Sequence, residues 1–153
     1  FSFILLYILF SISQEDIKSM VISENKLRIY TGSGFLYLVS LGLSNEKINS
    51  IELFIYNFHA MFIIFLIMYL ISYISYKLLR INSLGWGDIK LSSLSSLWLG
   101  LEMSFISLFI SFSLSALYSL HGKITKRFKP YHQYPFAPFL SIGIFCSWII
   151  DKI

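Results

Sequence analysis

The sequence predicts an all-α fold: a polytopic transmembrane helix bundle with about five to six membrane helices, some of them short. Hydrophobic residues make up 56% of the chain. Charged residues make up only 13%, whereas a soluble domain contains about 25%. The apolar residues also form long runs, which is the pattern of helices that cross a bilayer. We expect residues 1–153 to form a single domain.

The first third of the chain alternates between apolar and polar segments. Residues 1–12 are apolar but too short to cross a membrane, which takes about 20 residues. We interpret them as the cut end of a transmembrane helix, so that the N-terminus is truncated. Residues 13–28 are polar, residues 29–44 form a short uncharged run, and residues 45–52 form a small polar loop.

The middle of the chain contains the clearest membrane span, residues 53–76, which is long and carries no charge. After a loop at residues 81–90, residues 91–120 must cross the membrane and return. Two full spans need roughly 40 residues, which is more than this segment provides. We therefore predict a short helix, a turn near Gly100 with Glu102 at its outer side, and a longer helix back.

Small residues mark the returning helix. Ser104, Ser107, Ser111 and Ser115 recur at helical spacing, and small side chains on one face allow helices in lipid to approach closely. We predict that this face packs against another helix. A basic loop at residues 121–134 then precedes the last apolar run, residues 136–150.

The distribution of Lys and Arg predicts the orientation of the chain. Residues 13–28 and 77–90 carry three each and residues 121–135 carry four, whereas residues 45–52 carry one. Basic loops stay in the cytoplasm, so the first three segments are predicted to be cytoplasmic. The net charge of +4 thus reflects topology and contact with the lipid bilayer. Without a basic helix or an aromatic-basic ribbon, nucleic-acid binding is not expected.

Two aspartates become candidate catalytic residues in this topology. Asp16 and Asp88 lie far apart in sequence, yet both follow a helix that ends at the cytoplasmic face. Two carboxyl groups in a partly dry site share one proton, so that one can act as a base and the other as an acid. Gly85 and Gly87 would allow close approach of another chain segment near Asp88. Taken alone, Gly-x-Gly-Asp is better explained as a loop before a helix that Asp88 caps.

Three motifs then resemble those of one family, in the family's order. Residues 85–91, Gly-Trp-Gly-Asp-Ile-Lys-Leu, resemble the Gly-x-Gly-Asp-x-Lys-Leu signature of type IV prepilin peptidases. Residues 16–24 resemble the family's first-aspartate motif, in which Ile-Pro and then Asp or Asn follow the Asp. Residues 135–140, Pro-Phe-Ala-Pro-Phe-Leu, resemble a Pro-Phe-Gly-Pro-Phe-Leu segment. The supporting motif residues are Gly85, Gly87, Lys90, Pro135 and Pro138.

The resemblance implies a membrane aspartic endopeptidase that removes the basic leader peptide from type IV prepilins or pseudopilins, just after a glycine. It implies that Asp16 and Asp88 are catalytic, and that no cofactor or metal takes part. It places the protein in the bacterial inner (cytoplasmic) membrane as a multi-pass protein whose active site faces the cytoplasm. The single cysteine, Cys146, lies in an apolar run, so neither an internal disulfide nor a cysteine-based zinc site is predicted. No methyltransferase activity is expected from these residues.

The chain departs from the family pattern at three positions. Ser23 stands where the family has Pro, which restores a backbone N–H and frees φ. Glu24 replaces Asp or Asn, and Ala137 replaces Gly. Glu15 adds a like charge beside Asp16, which would raise the pKa of Asp16. The alternative function is therefore a catalytically inactive relative, or a non-enzymatic membrane component of a secretion or pilus system.

Overall fold

The structure is a computed structural model that describes residues 1–44, 50–80, 84–126 and 134–153. Within these ranges it contains five α-helices and no strand, which confirms the predicted all-α fold. The helices are α1 (Ser2–Ser19), α2 (Glu24–Ser44), α3 (Ser50–Leu79), α4 (Trp86–Ile124) and α5 (Ala137–Lys152). The loop that holds Lys47 and the part of the basic loop that holds Arg127 and Lys129 lie outside the described residues.

The polar segment 13–28 is more helical than its composition suggested. Residues 13–19 continue α1, and α2 already begins at Glu24, so only residues 20–23 connect the two helices. The connection starts at Met20, whose φ of 52° and ψ of 28° are left-handed and whose N–H donates to the Asp16 carbonyl. This local reversal places the charged ends of α1 and α2 side by side.

The chain reverses direction within α4, at Gly100. Gly100 has a φ of 70° and a ψ of −173°, which no helical residue adopts. Ser104 Oγ donates to Ser96 Oγ at 3.0 Å, whereas eight residues of an unbroken helix rise about 12 Å. The predicted turn near Gly100 is therefore present. We call residues 86–99 the first arm of α4 and residues 101–124 its second arm.

The contacts of both arms along α5 show that they are antiparallel. Trp98, late in the first arm, lies 5.7 Å between ring centroids from Trp148, near the end of α5. Phe112, in the second arm, lies 5.3 Å from Phe136, at the start of α5. The first arm is the centre of the bundle, because Leu91, Leu97 and Ser92 on its different faces are all buried.

The serine face of the second arm packs as predicted. Ser104, Ser107 and Ser111 are 1% exposed or less. A Cβ atom added at Gly143 of α5 would overlap the Ser111 side chain and the Ser107 carbonyl oxygen. The two helices thus approach at the distance of a glycine, as small residues in membrane helices allow.

Two of the described helices are long and apolar enough to cross a membrane, Ser50–Leu78 and Trp86–Ile124, although the second reverses direction at Gly100. Their outward surface is also apolar; in α3, for example, Ile51 is 67% exposed and Phe62 is 60% exposed. Soluble monomers rarely expose large contiguous apolar patches. Both observations indicate a membrane protein.

Candidate active site

Asp16 lies in the last turn of α1 and is 5% exposed. Its Oδ2 atom accepts a hydrogen bond of 3.0 Å from the N–H of Ala137, the first residue of α5. Burial raises the pKa of Asp16 above its ordinary value, while the N–H groups of Ala137 and Phe136 act against that rise. Glu15 is not among the causes of this rise, so the expectation that its charge raises the pKa of Asp16 stays a prediction.

Asp88 lies in the first turn of α4, directly after the two motif glycines, and is 9% exposed. Its N–H donates to the Gly85 carbonyl at 3.1 Å, which closes the turn that begins the helix. Gly85, the N-cap residue, has no side chain, and its backbone N–H interacts with the Asp88 carboxyl group. The Oδ1 atom of Asp88 is buried and has no hydrogen-bond partner among the described residues. An unpaired buried oxygen lowers the stability of the folded state.

Both carboxyl groups line one cleft of about 340 Å³. One wall consists of Met20, Val21 and Ile22 from the connection between α1 and α2. The opposite wall consists of residues 85–87, including Trp86, which is 62% exposed. The two aspartates, predicted to share one side of the membrane, therefore line the same cleft. The apolar walls were not foreseen, since no motif assigns a role to these positions.

The two walls touch at Ile22 and Gly87. A Cβ atom added at Gly87 would lie 3.0 Å from the Ile22 Cβ atom, closer than ordinary van der Waals contact. At Gly85 an added Cβ would meet only Asp88 Oδ2, at 3.5 Å. The sequence argument that glycine permits close approach therefore applies to Gly87 and not to Gly85.

An ion pair beside the cleft joins the motif of residues 16–24 to the motif of residues 85–91. Lys90 Nζ lies 2.7 Å from Glu24 Oε1. Glu24 is also 3.9 Å from Arg28, one turn later in α2. The hydrogen bond from Lys90, followed by its charge, lowers the pKa of Glu24. Glu24, which replaces a shorter acidic or amide residue of the family pattern, thus reaches the motif lysine.

Ser23, the other departure from the family pattern in this motif, also makes a contact. The N–H of Ser23, which a proline would lack, donates to Glu15 Oε2 at 3.2 Å. Lys26 Nζ lies 3.4 Å from the same carboxylate oxygen and donates to the Ser11 carbonyl at 2.6 Å. The hydrogen bond from the Ser23 backbone is the main cause of a lowered pKa of Glu15.

The third motif supplies the hydrogen bond to Asp16. Phe136 is the N-cap of α5, and Pro138 stands in its first turn, where a missing N–H costs nothing. Pro135 is half-buried just before the helix. Ala137 is 0% exposed, so its methyl group occupies space at the edge of the site. All three motifs therefore converge on the two aspartates, although no motif indicated that a backbone N–H would be the contact.

No group of three or more His, Cys, Asp or Glu side chains in residues 1–44, 50–80, 84–126 and 134–153 is arranged to hold a metal ion. The expectation that the reaction needs no metal remains a prediction. The described arrangement offers two carboxyl groups beneath an open apolar cleft. Asp16 accepts the Ala137 N–H, whereas Asp88 keeps one buried oxygen, Oδ1, without a partner among the described residues.

A family model described as the type IV leader peptidase family matches residues 3–120, which include both aspartates. No match was found among curated proteins, and none among solved structures. The matched range covers more than half of the chain and contains the first two motifs, the first arm of α4 and most of its second arm. The chain belongs to the type IV leader peptidase family.

Proposed function

We propose that this protein is an aspartic endopeptidase that cleaves the basic leader peptide from type IV prepilins or pseudopilins. The observation that carries the proposal is that Asp16 and Asp88, from two motifs far apart in sequence, line the same cleft. Paired carboxyl groups in a partly dry site are the machinery of aspartic proteases. The alternative, a non-enzymatic relative, would not require the two groups to share a cleft.

The hydrogen bonds suggest a role for each aspartate. Asp16 accepts the Ala137 N–H, and such a bond favours the ionised carboxylate. The Gly85 N–H interacts with the Asp88 carboxyl group, but the buried Oδ1 atom of Asp88 has no partner among the described residues. We therefore assign Asp16 as the general base and Asp88 as the carboxyl group that carries the shared proton.

Cleavage then proceeds in two steps, each with two proton transfers. Asp16 takes a proton from a water molecule whose oxygen attacks the scissile carbonyl carbon, while Asp88 donates its proton to the carbonyl oxygen. The tetrahedral intermediate then collapses with rupture of the C–N bond. The proton held by Asp16 passes to the leaving amine, and Asp88 takes back the proton from a hydroxyl group of the intermediate as the carbonyl re-forms. One water is consumed, and the two carboxyl groups again share one proton when the products leave.

The site is proposed to face the cytoplasm of a bacterial inner membrane. The end of the bundle that carries both aspartates also holds Lys18, Lys26 and Lys90, close to the cleft. At the opposite end, the described basic side chain is Lys152, held between Tyr37 and Trp148. Basic residues are retained in the cytoplasm, so the aspartate end is assigned to that side and the chain crosses the membrane several times.

The proposal is tested with purified protein in detergent and a synthetic prepilin peptide. The peptide carries a basic leader that ends in glycine, followed by an apolar segment. We expect a single cut after the glycine, detected by mass spectrometry. Absence of cleavage of this peptide and of a co-expressed prepilin, by protein that unfolds cooperatively on heating, would refute the proposal.

A further inference from the structure

The four-residue connection between α1 and α2 (residues 20–23, here called the 20–23 turn) forms a wall of the cleft. Met20, Val21 and Ile22 line the cleft opposite Trp86. Ile22 also lies against Gly87, the residue before Asp88. The position of the 20–23 turn therefore sets both the width of the cleft and the packing beside one catalytic aspartate.

Glu15, at the end of α1, binds the last residue of this turn. Its Oε2 atom accepts the Ser23 N–H at 3.2 Å and lies 3.4 Å from Lys26 Nζ. Lys26 is itself fixed to α1 by a 2.6 Å hydrogen bond to the Ser11 carbonyl. The last residue of the turn is thus tied to the end of α1, one position before Asp16. Hydrogen bonds to a charged acceptor are stronger than neutral ones.

A continuous series of contacts then links the two aspartates. Glu15, the neighbour of Asp16, binds Ser23; the adjacent Ile22 packs on Gly87; and Gly87 precedes Asp88. At residue 23 a proline would limit φ through its ring. Serine has no such constraint, so its conformation depends on the bond to Glu15.

We propose that Glu15 is a positioning residue that holds the 20–23 turn against Gly87 and so sets the placement of Asp88 relative to Asp16. A proline ring at residue 23 would hold the turn in the same way. Its catalytic consequence rests on the proposed function, but its structural consequence does not. A different role for Glu15 would be purely electrostatic, through its charge beside Asp16. The two roles predict different behaviour of a Ser23→Pro substitution.

The first experiment compares Glu15→Ala, Glu15→Gln, Ser23→Pro and the double variant Glu15→Ala/Ser23→Pro, with kcat and the pH profile as readouts. We expect kcat to fall about tenfold in Glu15→Ala, as small misplacements of catalytic groups do. Glu15→Gln keeps an acceptor for the Ser23 N–H and should lose less. Ser23→Pro should remain near the original activity, and the double variant should recover most of the loss.

Whether Ser23→Pro restores the activity lost in Glu15→Ala decides between the positioning role and the electrostatic role of Glu15. A double variant as slow as Glu15→Ala overturns the proposal. So does a Glu15→Gln variant that shifts the acid limb of the pH profile as far as Glu15→Ala does, because the electrostatic role depends on the charge and not on the acceptor.

The second experiment measures the cleft directly and needs no activity. Spin labels are attached at Val21→Cys and Trp86→Cys in a Cys146→Ser background, since Cys146 is the only cysteine of the chain. Both positions are exposed, at 65% and 62%. We expect a narrow distance distribution that broadens at least twofold in Glu15→Ala and narrows again in the double variant with Ser23→Pro. An unchanged distribution in Glu15→Ala refutes the positioning role, whether or not the protein cleaves a prepilin.

Discussion

The N–H of Ala137 donates a 3.0 Å hydrogen bond to Oδ2 of Asp16, across 121 residues of sequence. The bond brings the start of α5 to the last turn of α1. It also gives one carboxyl group of the cleft a backbone donor, whereas Asp88 Oδ1 has none among the described residues. This difference between two residues of the same type is the basis for assigning them different roles.

Replacement of Ala137 should test this hydrogen bond. Ala137→Pro deletes the N–H at a helix position that tolerates proline. Because the N–H of Ala137 lowers the pKa of Asp16, its loss should raise that pKa further, and the acid limb of the kcat profile should move to higher pH. The matched control is Ala137→Gly, which keeps the N–H and should leave the limb in place. Equal profiles for both variants would argue against Asp16 as the base.

If Asp16 and Asp88 are catalytic as proposed, removal of either carboxyl group should abolish cleavage with little effect on folding. Asp16→Asn and Asp88→Asn keep the side-chain shape but cannot exchange the proton, and general acid–base catalysis contributes about 10²–10⁴-fold. We expect kcat to fall by at least about 10²-fold in each. Asp151→Asn, at the opposite end of the bundle beside Lys152, is the control and should cleave normally. Retention of activity by Asp88→Asn would exclude the aspartic mechanism.

A methyl group at residue 87 should disturb the cleft. The Cβ atom of Gly87→Ala would lie 3.0 Å from Ile22 Cβ, so the 20–23 turn must move by a few tenths of an ångström. We expect kcat to fall about tenfold, since catalysis is sensitive to small displacements, while the unfolding temperature in detergent changes little. Gly32→Ala makes the same backbone change in open space and should be indistinguishable from the original protein. A fully active Gly87→Ala would mean that the position of the 20–23 turn does not determine the geometry of the cleft that holds the two aspartates.

Gly143 should matter for stability rather than for chemistry. An added Cβ would overlap the Ser107 carbonyl oxygen, which belongs to the backbone of α4 and cannot rotate away. Overpacking of this kind costs about 1–3 kcal/mol. We expect Gly143→Ala to lower the unfolding temperature, measured against Gly32→Ala as the control. If the two variants unfold at the same temperature, α4 and α5 do not pack as closely as the structure has them.

Much of the fold could be predicted because hydrophobic length is a direct constraint in lipid. The turn at Gly100 followed from the length of the segment 91–120, which is too short for two full spans, and the structure has that reversal. The packing face at Ser104, Ser107 and Ser111 followed from helical spacing and small side chains. The polar segment 13–28 was less predictable, because charged residues form helices as readily as loops when salt bridges and helix propensity support them.

The sequence by itself determined the helical membrane architecture, because the length of apolar runs predicts it directly. It also determined the family motifs, and with them the two candidate aspartates, because residue type and spacing define these motifs. Only the tertiary structure decided which groups touch them. Every residue except proline has an N–H, so nothing in the sequence singles out Ala137 as the donor to Asp16. The pairing of Glu24 with Lys90 and the attachment of Ser23 to Glu15 likewise depend on how α1, α2 and α4 pack. Such contacts depend on the three-dimensional arrangement of the helices, which no local pattern encodes.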